Sequence, residues 1–330
     1  MEFKINKGKI PAPVRAVIYG AEGVGKSTLA SHFPEPLFID IEDGTKELDV
    51  ARIDKPENWR MLLDELDYIA LNPDLCKTVI IDTADRAEQL LTAALLLEGG
   101  VDSIEKYGGG YGKGYTALAE RFTKDLLFRL DTLIANGINC VLLAHAIMRK
   151  FEAPDEPPYD RWELKVSKKV APLLKEWSDL LLFCNYKAMI VEENGKNKAK
   201  GSGKRVMYAN HKPTYDAKNR YGLPDEMELS YTPLKPVFDR TLEKKPEKTE
   251  LRVDTPTDGI VEGDIAETLA DAFRRNLEAN GITEEECIAY LKKRKKIGKN
   301  GTLEDLSDTY LHSLDDNIEM LKKEIEKGRK

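Results

Sequence analysis

The sequence lacks any run of about 18 apolar residues, the length that a membrane-spanning helix needs. The amino-terminal segment also lacks a long apolar stretch after its lysines, and a secretory signal requires one. We therefore expect neither a signal peptide nor a membrane partner. These two absences favour a cytoplasmic protein.

Cysteine is scarce, and its pattern is not that of a metal site. The four cysteines are Cys76, Cys140, Cys184 and Cys287. They lie far apart in apolar or helical surroundings, without the Cys-x-x-Cys spacing or the clustered histidines of a zinc site. Buried, reduced thiols are the expected state, and neither disulfides nor a zinc site is predicted.

Positive charge is not in excess either. The 330 residues include 51 lysines and arginines against 58 aspartates and glutamates, a net charge of -7. This balance argues against indiscriminate coating of nucleic acid, although it leaves room for a local basic groove. The proportions of hydrophobic (41%) and charged (33%) residues are those of a globular protein. The length suffices for one large core with a smaller appended domain.

Short apolar runs rich in β-branched residues alternate with longer helical patterns through the first two thirds of the chain. This alternation is typical of α/β proteins, in which crossover helices join the strands of a parallel sheet. The predicted strands are Arg15–Tyr19, Pro36–Ile41, Thr78–Asp82, Asn139–Ala144 and Leu180–Asn185. The predicted helices are Lys26–His32, Pro56–Leu71, Ala84–Glu98, Tyr115–Asn136 and Ala171–Glu176.

The pattern changes after Asn185. Two apolar runs flank the Gly/Lys-rich segment NGKNKAKGSGKR, which predicts an antiparallel hairpin with a basic tip at one edge of the sheet. Residues 239–259 are charged, contain prolines and lack an apolar period, so they form a predicted linker. From residue 260, apolar residues recur at helical spacing between Asn-Gly turns. The predicted organisation is a core at 1–238, a linker at 239–259 and a small all-α module at 260–330.

The strongest motif is GAEGVGKS, which fits the pattern G-x-x-x-x-G-K-[ST] and lies between a predicted strand and a predicted helix. In such a loop, glycines let backbone N–H groups surround a phosphate, Lys26 reaches the β and γ oxygens, and Ser27 can ligate Mg2+. ATP and Mg2+ are therefore the predicted cofactors. The predicted nucleotide-binding residues are Gly20, Ala21, Glu22, Gly23, Val24, Gly25, Lys26, Ser27 and Thr28.

Two acidic residues follow apolar strands that come after this loop. Asp82 ends the run TVIID, where a carboxylate can hold Mg2+ through water, although an Asp at a strand end is often only solvated. Glu42 follows the run LFIDI, where a carboxylate can polarise the water that attacks the γ-phosphate. Glu-Asp-Gly is also a good turn sequence, and Asp40 or Asp43 can compete for this role.

The order of these elements resembles the RecA-like recombinase core. The phosphate loop, the FIDIE strand, the VIID strand and the later LLAH strand look most like phage ATP-binding proteins of RecA-like fold implicated in single-strand annealing, over residues 10 to 238. The resemblance implies a RecA-like P-loop NTPase core with a mostly parallel sheet and an edge hairpin. It also implies DNA-stimulated ATP hydrolysis, homologous recombination on single-stranded DNA, and a homo-oligomer, ring or filament, with ATP at its subunit interfaces. For a phage protein, the expected compartment is the host cytoplasm.

The resemblance assigns roles to three further residues. His145 ends the strand INCVLLA, where RecA-like proteins carry a polar γ-phosphate sensor, usually glutamine; a histidine that only caps the strand is the alternative. Lys218 and Arg220 resemble the paired lysine and arginine fingers that reach a neighbouring subunit's ATP, and residues two apart on an extended segment face the same side. An ordinary basic loop is the alternative for this pair.

The resemblance also points to two DNA-binding loops. The glycine-rich segment Glu105–Tyr115 has the position of the first, with lysines for phosphates and tyrosines for stacking on bases. The segment Ala146–Glu163 has the position of the second, although its acidic residues weaken the case. A flexible lid or subunit-contact loop is the alternative for both. The candidates are Lys106, Tyr107, Tyr111, Lys113, Tyr115, Arg149, Lys150 and Phe151.

Three other functions stay open on the sequence alone. A hexameric helicase-like motor shares the core and the finger pair, a small-molecule kinase shares the phosphate loop, and a nucleotide-dependent switch binds only protein partners. In the helical tail, the basic run Lys292–Lys296 is of a kind that is most often a solvated helix face. From its placement alone, we expect this module either to capture DNA or to dock a partner, such as a single-strand binding protein or another recombination protein.

Overall fold

A computed structural model of the chain describes residues 8, 10–154, 156–193, 196–239 and 269–293, with single positions between 302 and 325. Its contacts divide the chain into two compact units, Met1–Lys248 and Thr249–Lys330. The predicted linker lies outside the described residues, apart from Asp239. No helix within these described ranges combines the length and the apolar character needed to cross a membrane.

Ten strands in the described part of the first unit form one sheet. They are β1 (Arg15–Gly20), β2 (Pro36–Asp40), β3 (Ala51–Arg52), β4 (Thr78–Asp82), β5 (Asn139–Ala153), β6 (Glu156–Leu164), β7 (Leu180–Glu193), β8 (Lys196–Tyr208), β9 (Lys218–Asn219) and β10 (Glu226–Glu228). The order is β10-β8-β7-β1-β5-β4-β2-β3, with β6 paired to β5 and β9 to β7. The pairs from β7 through β3 are all parallel, which confirms the prediction of a mostly parallel sheet.

The central strand β1 has apolar residues on both of its faces. Val17 and Tyr19 belong to one buried cluster, and Ala16 and Ile18 belong to another. Alternate residues of a strand point to opposite faces, so a continuous apolar run predicts a strand that is covered on both sides. The sheet is therefore the middle layer between two apolar cores, and its parallel strands end together at one carboxyl edge.

Helices cover this sheet and connect its strands. They are α1 (Lys26–Ala30), α2 (Trp59–Leu71), α3 (Ala84–Gly99), α4 (Lys113–Arg121), α5 (Phe128–Ala135), α6 (Val170–Trp177) and α7 (Lys235–Phe238), with short 3-10 turns at Pro73–Leu75 and Tyr107–Gly109. Two of these helices have a side-chain N-cap. Asn58 accepts from the third N–H of α2, and Thr83 accepts from the third N–H of α3. The helix predicted at Tyr115–Asn136 begins two residues earlier and contains a π-helical segment, Phe122–Leu127.

The structure corrects the prediction of a loop at Ala146–Glu163. This segment is a β-hairpin, because the long strand β5 pairs antiparallel with β6. Met148 lies opposite Trp162, and Phe151 lies opposite Tyr159 with ring centroids 5.4 Å apart. Such cross-strand pairs stabilise a hairpin. Prolines and alternating charges in the segment hid the strand pattern in the sequence.

The hairpin predicted after Asn185 is present as β7 and β8, but it does not form the edge of the sheet. The three-residue strand β10 pairs with the outer side of β8. Its Met227 is buried, while Glu226 and Glu228 are exposed on either side. A short edge strand with charged residues opposes further strand addition.

In the second unit, the described residues include the helices α8 (Leu269–Ala279) and α9 (Glu284–Lys293). Their buried Phe273, Leu277 and Leu291 belong to one apolar cluster, which also takes in residues between 303 and 325. Much of this unit, including part of the basic run at 292–296, lies outside the described residues. The all-α module therefore stays a prediction.

Candidate active site

The phosphate loop connects β1 to α1, and its backbone requires glycine at three positions. A Cβ placed on Gly20 would lie 2.1 Å from the carbonyl oxygen of Cys184 on the neighbouring strand. Gly23 and Gly25 have φ values of 67° and 104°, in the region that residues with a side chain rarely adopt. The loop can thus curve tightly around an anion at the start of α1.

Lys26 begins α1, and its side chain points back into the loop. It is only 6% exposed, and Nζ donates to the carbonyl oxygens of Gly20 (3.3 Å) and Ala21 (3.0 Å). Burial lowers the pKa of this amine, although acids such as Asp82 oppose the shift. An ammonium held by carbonyl groups can exchange them for phosphate oxygens, which form stronger, charge-assisted hydrogen bonds.

Ser27 and Asp82 bring two hard oxygen ligands together. Ser27 Oγ donates to Asp82 Oδ2 at 2.5 Å, and Asp82 is only 3% exposed. Burial raises the pKa of Asp82 to about 6; the Ser27 hydrogen bond opposes this shift, and the carboxylates of Glu42 and Asp40 add to it. Mg2+ prefers such oxygen ligands, and a cation offsets the repulsion between the acids. The residues present therefore fit Mg2+.

The three acids at the end of β2 have different partners. Asp40 closes a turn, since its carboxylate accepts from the N–H (2.8 Å) and the hydroxyl (2.6 Å) of Thr45. Asp43 pairs with exposed Lys46. Glu42 instead contacts Thr83 and Arg86, at the start of α3, and His145 of β5. The geometry thus favours Glu42 over the two competing acids.

Glu42 is held on several sides and keeps access to solvent. Its Oε1 accepts from the Thr83 hydroxyl at 3.1 Å, and lies 3.3 Å from Arg86 Nε and 3.6 Å from His145 Nδ1. Its backbone N–H donates to the carbonyl oxygen of Asp82 at 3.2 Å. The side chain remains 24% exposed. An oriented, partly exposed carboxylate beside the predicted metal ligand can polarise a water molecule.

His145 stands beside the start of the phosphate loop, where it pairs with Gly20 across the β1–β5 register. Its backbone N–H donates to Asp85 Oδ1 at 3.0 Å, and its Nδ1 lies 2.9 Å from Asp85 Oδ2. This hydrogen bond raises the pKa of His145. Sequence reasoning missed Asp85, which has the pattern of an ordinary acid in the first turn of a helix. Its position three residues after Asp82 was the available signal.

An opening of about 620 Å3 adjoins α1 and Gly25 of the phosphate loop. Arg205 of β8 lines it and donates from Nη1 to the carbonyl oxygen of Val24 at 3.4 Å. Tyr186, the residue opposite Arg205 on β7, donates its hydroxyl to the carbonyl oxygen of Gly23 at 3.2 Å. Sequence reasoning missed both residues, because the sheet alone brings them to a loop more than 150 residues away. Other residues of the lining are Thr28, Leu29, His32, Leu229 and Tyr231.

Lys218 and Arg220 lie away from the phosphate loop of their own chain. β9 pairs with the first residues of β7, whereas the loop adjoins the carboxyl end of the same parallel layer. Lys218 Nζ donates to the carbonyl oxygens of Lys175 (2.9 Å) and Glu176 (3.0 Å) at the end of α6. Arg220 Nη1 lies 2.6 Å from Asp179 Oδ1. Within the chain, both cations therefore have structural partners.

The first predicted DNA segment is largely engaged by its own chain. Its candidates are Lys106, Tyr107, Tyr111, Lys113 and Tyr115. Lys106 forms an ion pair with an acid one turn before it, and the Tyr115 hydroxyl donates to Glu105 at 2.6 Å. Tyr107 packs against the apolar core. Tyr111 is fully exposed, with a φ of 54°, so it is the aromatic ring that projects from this segment.

The second predicted DNA segment borders an opening of about 670 Å3 between the β5–β6 hairpin and α6. Arg149 is oriented there by Glu163 (3.2 Å) and by the carbonyl oxygen of Val166 (2.9 Å). The charged and aromatic residues that line the opening are four cations, two acids and one aromatic ring: Arg149, Lys150, Lys168, Lys175, Glu152, Glu163 and Phe151. Thus the predicted basic residues converge, although on a hairpin and not on a loop.

Comparison with known families agrees with this geometry. Residues 12–221 match the model of a family described as AAA domain, which covers well over half of the chain. The matched region contains the phosphate loop, Glu42, Asp82, Asp85 and His145. No curated protein matches the chain.

Proposed function

Because this chain belongs to the AAA domain family, we propose that it binds ATP with Mg2+ through Gly20–Thr28 and hydrolyses it. One observation carries this proposal: Lys26, Ser27, Asp82 and Glu42 come from three separate segments and meet at the carboxyl edge of the sheet. Crevices at this edge are where open α/β sheets bind their ligands.

Different residues bind the phosphates, bind the metal and act on the attacking water. Lys26 and the loop N–H groups hold the phosphates, and Ser27 and Asp82 hold Mg2+. When bound, Mg2+ supplies positive charge against the phosphate oxygens. Glu42 orients and polarises the attacking water. The opening beside α1, with Arg205 at its wall, takes the nucleoside.

The finer proposal is a RecA-like protein that acts on single-stranded DNA in phage-type recombination or strand annealing. The opening between the β5–β6 hairpin and α6 supports it, because its four cations outnumber its two acids and suit backbone phosphates, and Phe151 suits base stacking. The same strand, β5, carries His145 near the phosphate loop and Arg149 at this opening. A nucleotide-dependent shift of β5 would therefore move both His145 and Arg149.

The oligomer belongs to the same proposal. Arg220 is 61% exposed, so it can leave Asp179 and reach the ATP of a neighbouring subunit in a ring or filament. Lys218 would have to leave two carbonyl partners to do the same. The carboxyl-terminal module is proposed to dock a single-strand binding protein or another recombination protein, in the host cytoplasm.

Fluorescence anisotropy with a labelled single-stranded oligonucleotide, together with ATP hydrolysis with and without that DNA, tests the DNA-binding proposal. We expect the double variant Lys150→Glu/Lys168→Glu to lose at least about tenfold in DNA affinity and to lose DNA stimulation, since two phosphate contacts become repulsive. Exposed Lys55, which lines neither opening, provides the control Lys55→Glu. Turnover that is independent of DNA, with equal anisotropy for both variants, would instead favour a kinase or a protein-binding switch.

A further inference from the structure

We propose that Asp85 is a positioning residue of the active site, which holds the His145 imidazole against Glu42 with a proton fixed on Nδ1. Both carboxylate oxygens of Asp85 accept from the same residue, one from the backbone N–H of His145 and one from its ring. A two-point contact of this kind fixes the ring plane as well as the tautomer. The Asp85 side chain is 5% exposed, so water does not compete for it.

The ring nitrogen that faces Asp85 must carry the proton. A carboxylate can only accept hydrogen bonds, and the hydrogen bonds from His145 outweigh the opposing effect of burial and lower the pKa of Asp85. His145 Nδ1 is therefore the donor, and Nε2 is the nitrogen that remains for a ligand. The charged groups that face the ring are Asp85, Glu42 and Lys26.

This arrangement affects Glu42 directly. An imidazolium beside Asp85 forms a pair with no net charge, and it places Nδ1 3.6 Å from Glu42 Oε1. The pair thus orients the carboxylate that polarises water without adding a second uncompensated negative charge near the phosphates. The effect on hydrolysis rests on the proposed function, whereas the tautomer and the protonation of His145 do not.

The variant Asp85→Asn changes the position of the ring proton on His145 while keeping the packing of α3 against β5. Its amide oxygen can still accept the backbone N–H of His145, so the β5–α3 contact is kept. Its NH2 group then faces Nδ1 and forces the ring proton onto Nε2. An equivalent exchange at the Asp of a serine-protease triad keeps the geometry and lowers kcat through the wrong tautomer.

The direct test is 15N NMR of the histidine rings in the full chain across pH. The chain contains four histidines, and the variant His145→Gln assigns the signal of interest. We expect a protonated Nδ1 in the wild type, and in Asp85→Asn an Nε2–H tautomer with a lower pKa. Asp102 is an exposed acid that pairs with Lys106, so Asp102→Asn is the matched control. It should leave the His145 signal unchanged.

ATP hydrolysis provides the second measurement. We expect Asp85→Asn to lower kcat at least about tenfold, with unchanged ATP affinity. Asp85 stabilises the charged ring, so its loss moves the alkaline limb of the kcat profile to lower pH. His145→Gln removes this limb, and the double variant is no slower than the slower single one.

The two measurements distinguish failure of the proposed function from failure of the proposed role of Asp85. A protein without ATPase activity that shows the Nδ1–H tautomer would overturn the proposed function and leave the role of Asp85 intact. A wild-type protein with its neutral His145 protonated on Nε2 would overturn the role of Asp85, even if Asp85→Asn fails to fold. The role of Asp85 would also be overturned if Asp85→Asn and His145→Gln had additive effects on kcat and Asp85→Asn did not shift the alkaline limb of the kcat profile.

Discussion

Ser27 Oγ donates a hydrogen bond of 2.5 Å to Asp82 Oδ2, which joins the phosphate loop to the end of β4 across 55 residues of sequence. These two oxygens are the predicted ligands of Mg2+. The hydroxyl can ligate Mg2+ with a lone pair while its proton still donates to Asp82, so this hydrogen bond is compatible with an Asp82 that holds Mg2+ through water. The fold therefore brings the two predicted ligands together without a cation.

The first prediction concerns stability against pH. Burial raises the pKa of Asp82 from 3.8 to about 6, so the folded protein holds this proton more tightly than the unfolded chain. The resulting stabilisation is complete below pH 3.8 and is lost as the pH rises through about 6. Asn mimics the protonated carboxyl, so Asp82→Asn should stabilise the metal-free protein above this pH, by up to about 3 kcal/mol.

Urea unfolding of the metal-free wild type and Asp82→Asn at pH 5 and pH 8 measures this effect. The advantage of the variant should be larger at pH 8. Added MgATP should raise Tm for the wild type more than for Asp82→Asn, since the variant lacks the charged ligand. A variant less stable than the wild type at pH 8 would show that Asp82 is ionised without cost in the folded protein.

The second prediction separates the acids at the end of β2. Glu42→Gln should keep ATP affinity and lower the single-turnover hydrolysis rate by about 100-fold or more, because the amide cannot act as a base. Asp40→Asn should lower Tm, because it weakens the turn closed by Thr45, while leaving most of the rate. If Asp40→Asn abolishes hydrolysis and Glu42→Gln does not, the two roles are exchanged.

The third prediction concerns the contact between the β7–β8 hairpin and the phosphate loop. Arg205→Ala should weaken ATP binding about 3- to 10-fold, the worth of one hydrogen bond, because the guanidinium contacts Val24 and lines the neighbouring opening. Titration of a fluorescent ATP analogue measures it. The adjacent exposed residue offers the control Lys204→Ala, which should bind normally. Equal affinity of both variants would place the nucleoside elsewhere.

The fourth prediction decides whether Arg220 acts on a neighbouring subunit. Arg220 is largely exposed, and Asp179 keeps Arg15 as a second partner, so Arg220→Ala should change stability by less than about 1 kcal/mol. As a finger in trans, the same substitution should lower hydrolysis about 1000-fold.

Mixing inactive variants provides the decisive control for this prediction. Lys26→Ala subunits keep the finger, and Arg220→Ala subunits keep the phosphate loop, so a mixture should form some complete sites and recover part of the activity. A mixture as inactive as its components, or full activity of Arg220→Ala alone, would leave Arg220 with a structural role only.

Much of the core could be predicted from sequence, because its signals are local. The run Thr78–Asp82 is apolar on both faces and is a fully buried strand in the structure, bounded as predicted. The phosphate loop has its pattern within eight residues, and its two glycines are explained by the positive φ of Gly25 and by the lack of room for a Cβ at Gly20.

The remainder depends on pairings that local patterns do not encode. The β5–β6 hairpin was predicted as a loop, since its strands are stabilised by cross-strand pairs and not by an apolar period. Arg205 and Tyr186 reach the phosphate loop through the order of strands in the sheet. Asp85 was missed because an acid in the first turn of a helix is common, and only the position of His145 gives it a partner.

Isothermal titration calorimetry of ATP into the wild type and Lys26→Ala, with and without Mg2+, tests the central claim most directly. We predict Mg2+-dependent binding by the wild type and a loss of affinity of about 10- to 100-fold in Lys26→Ala, because a charge-assisted hydrogen bond is removed. Lys55→Ala, at an exposed residue outside the site, should bind as the wild type does. Equal affinity of Lys26→Ala and wild type, or no binding by either, would contradict an ATP site at Gly20–Thr28.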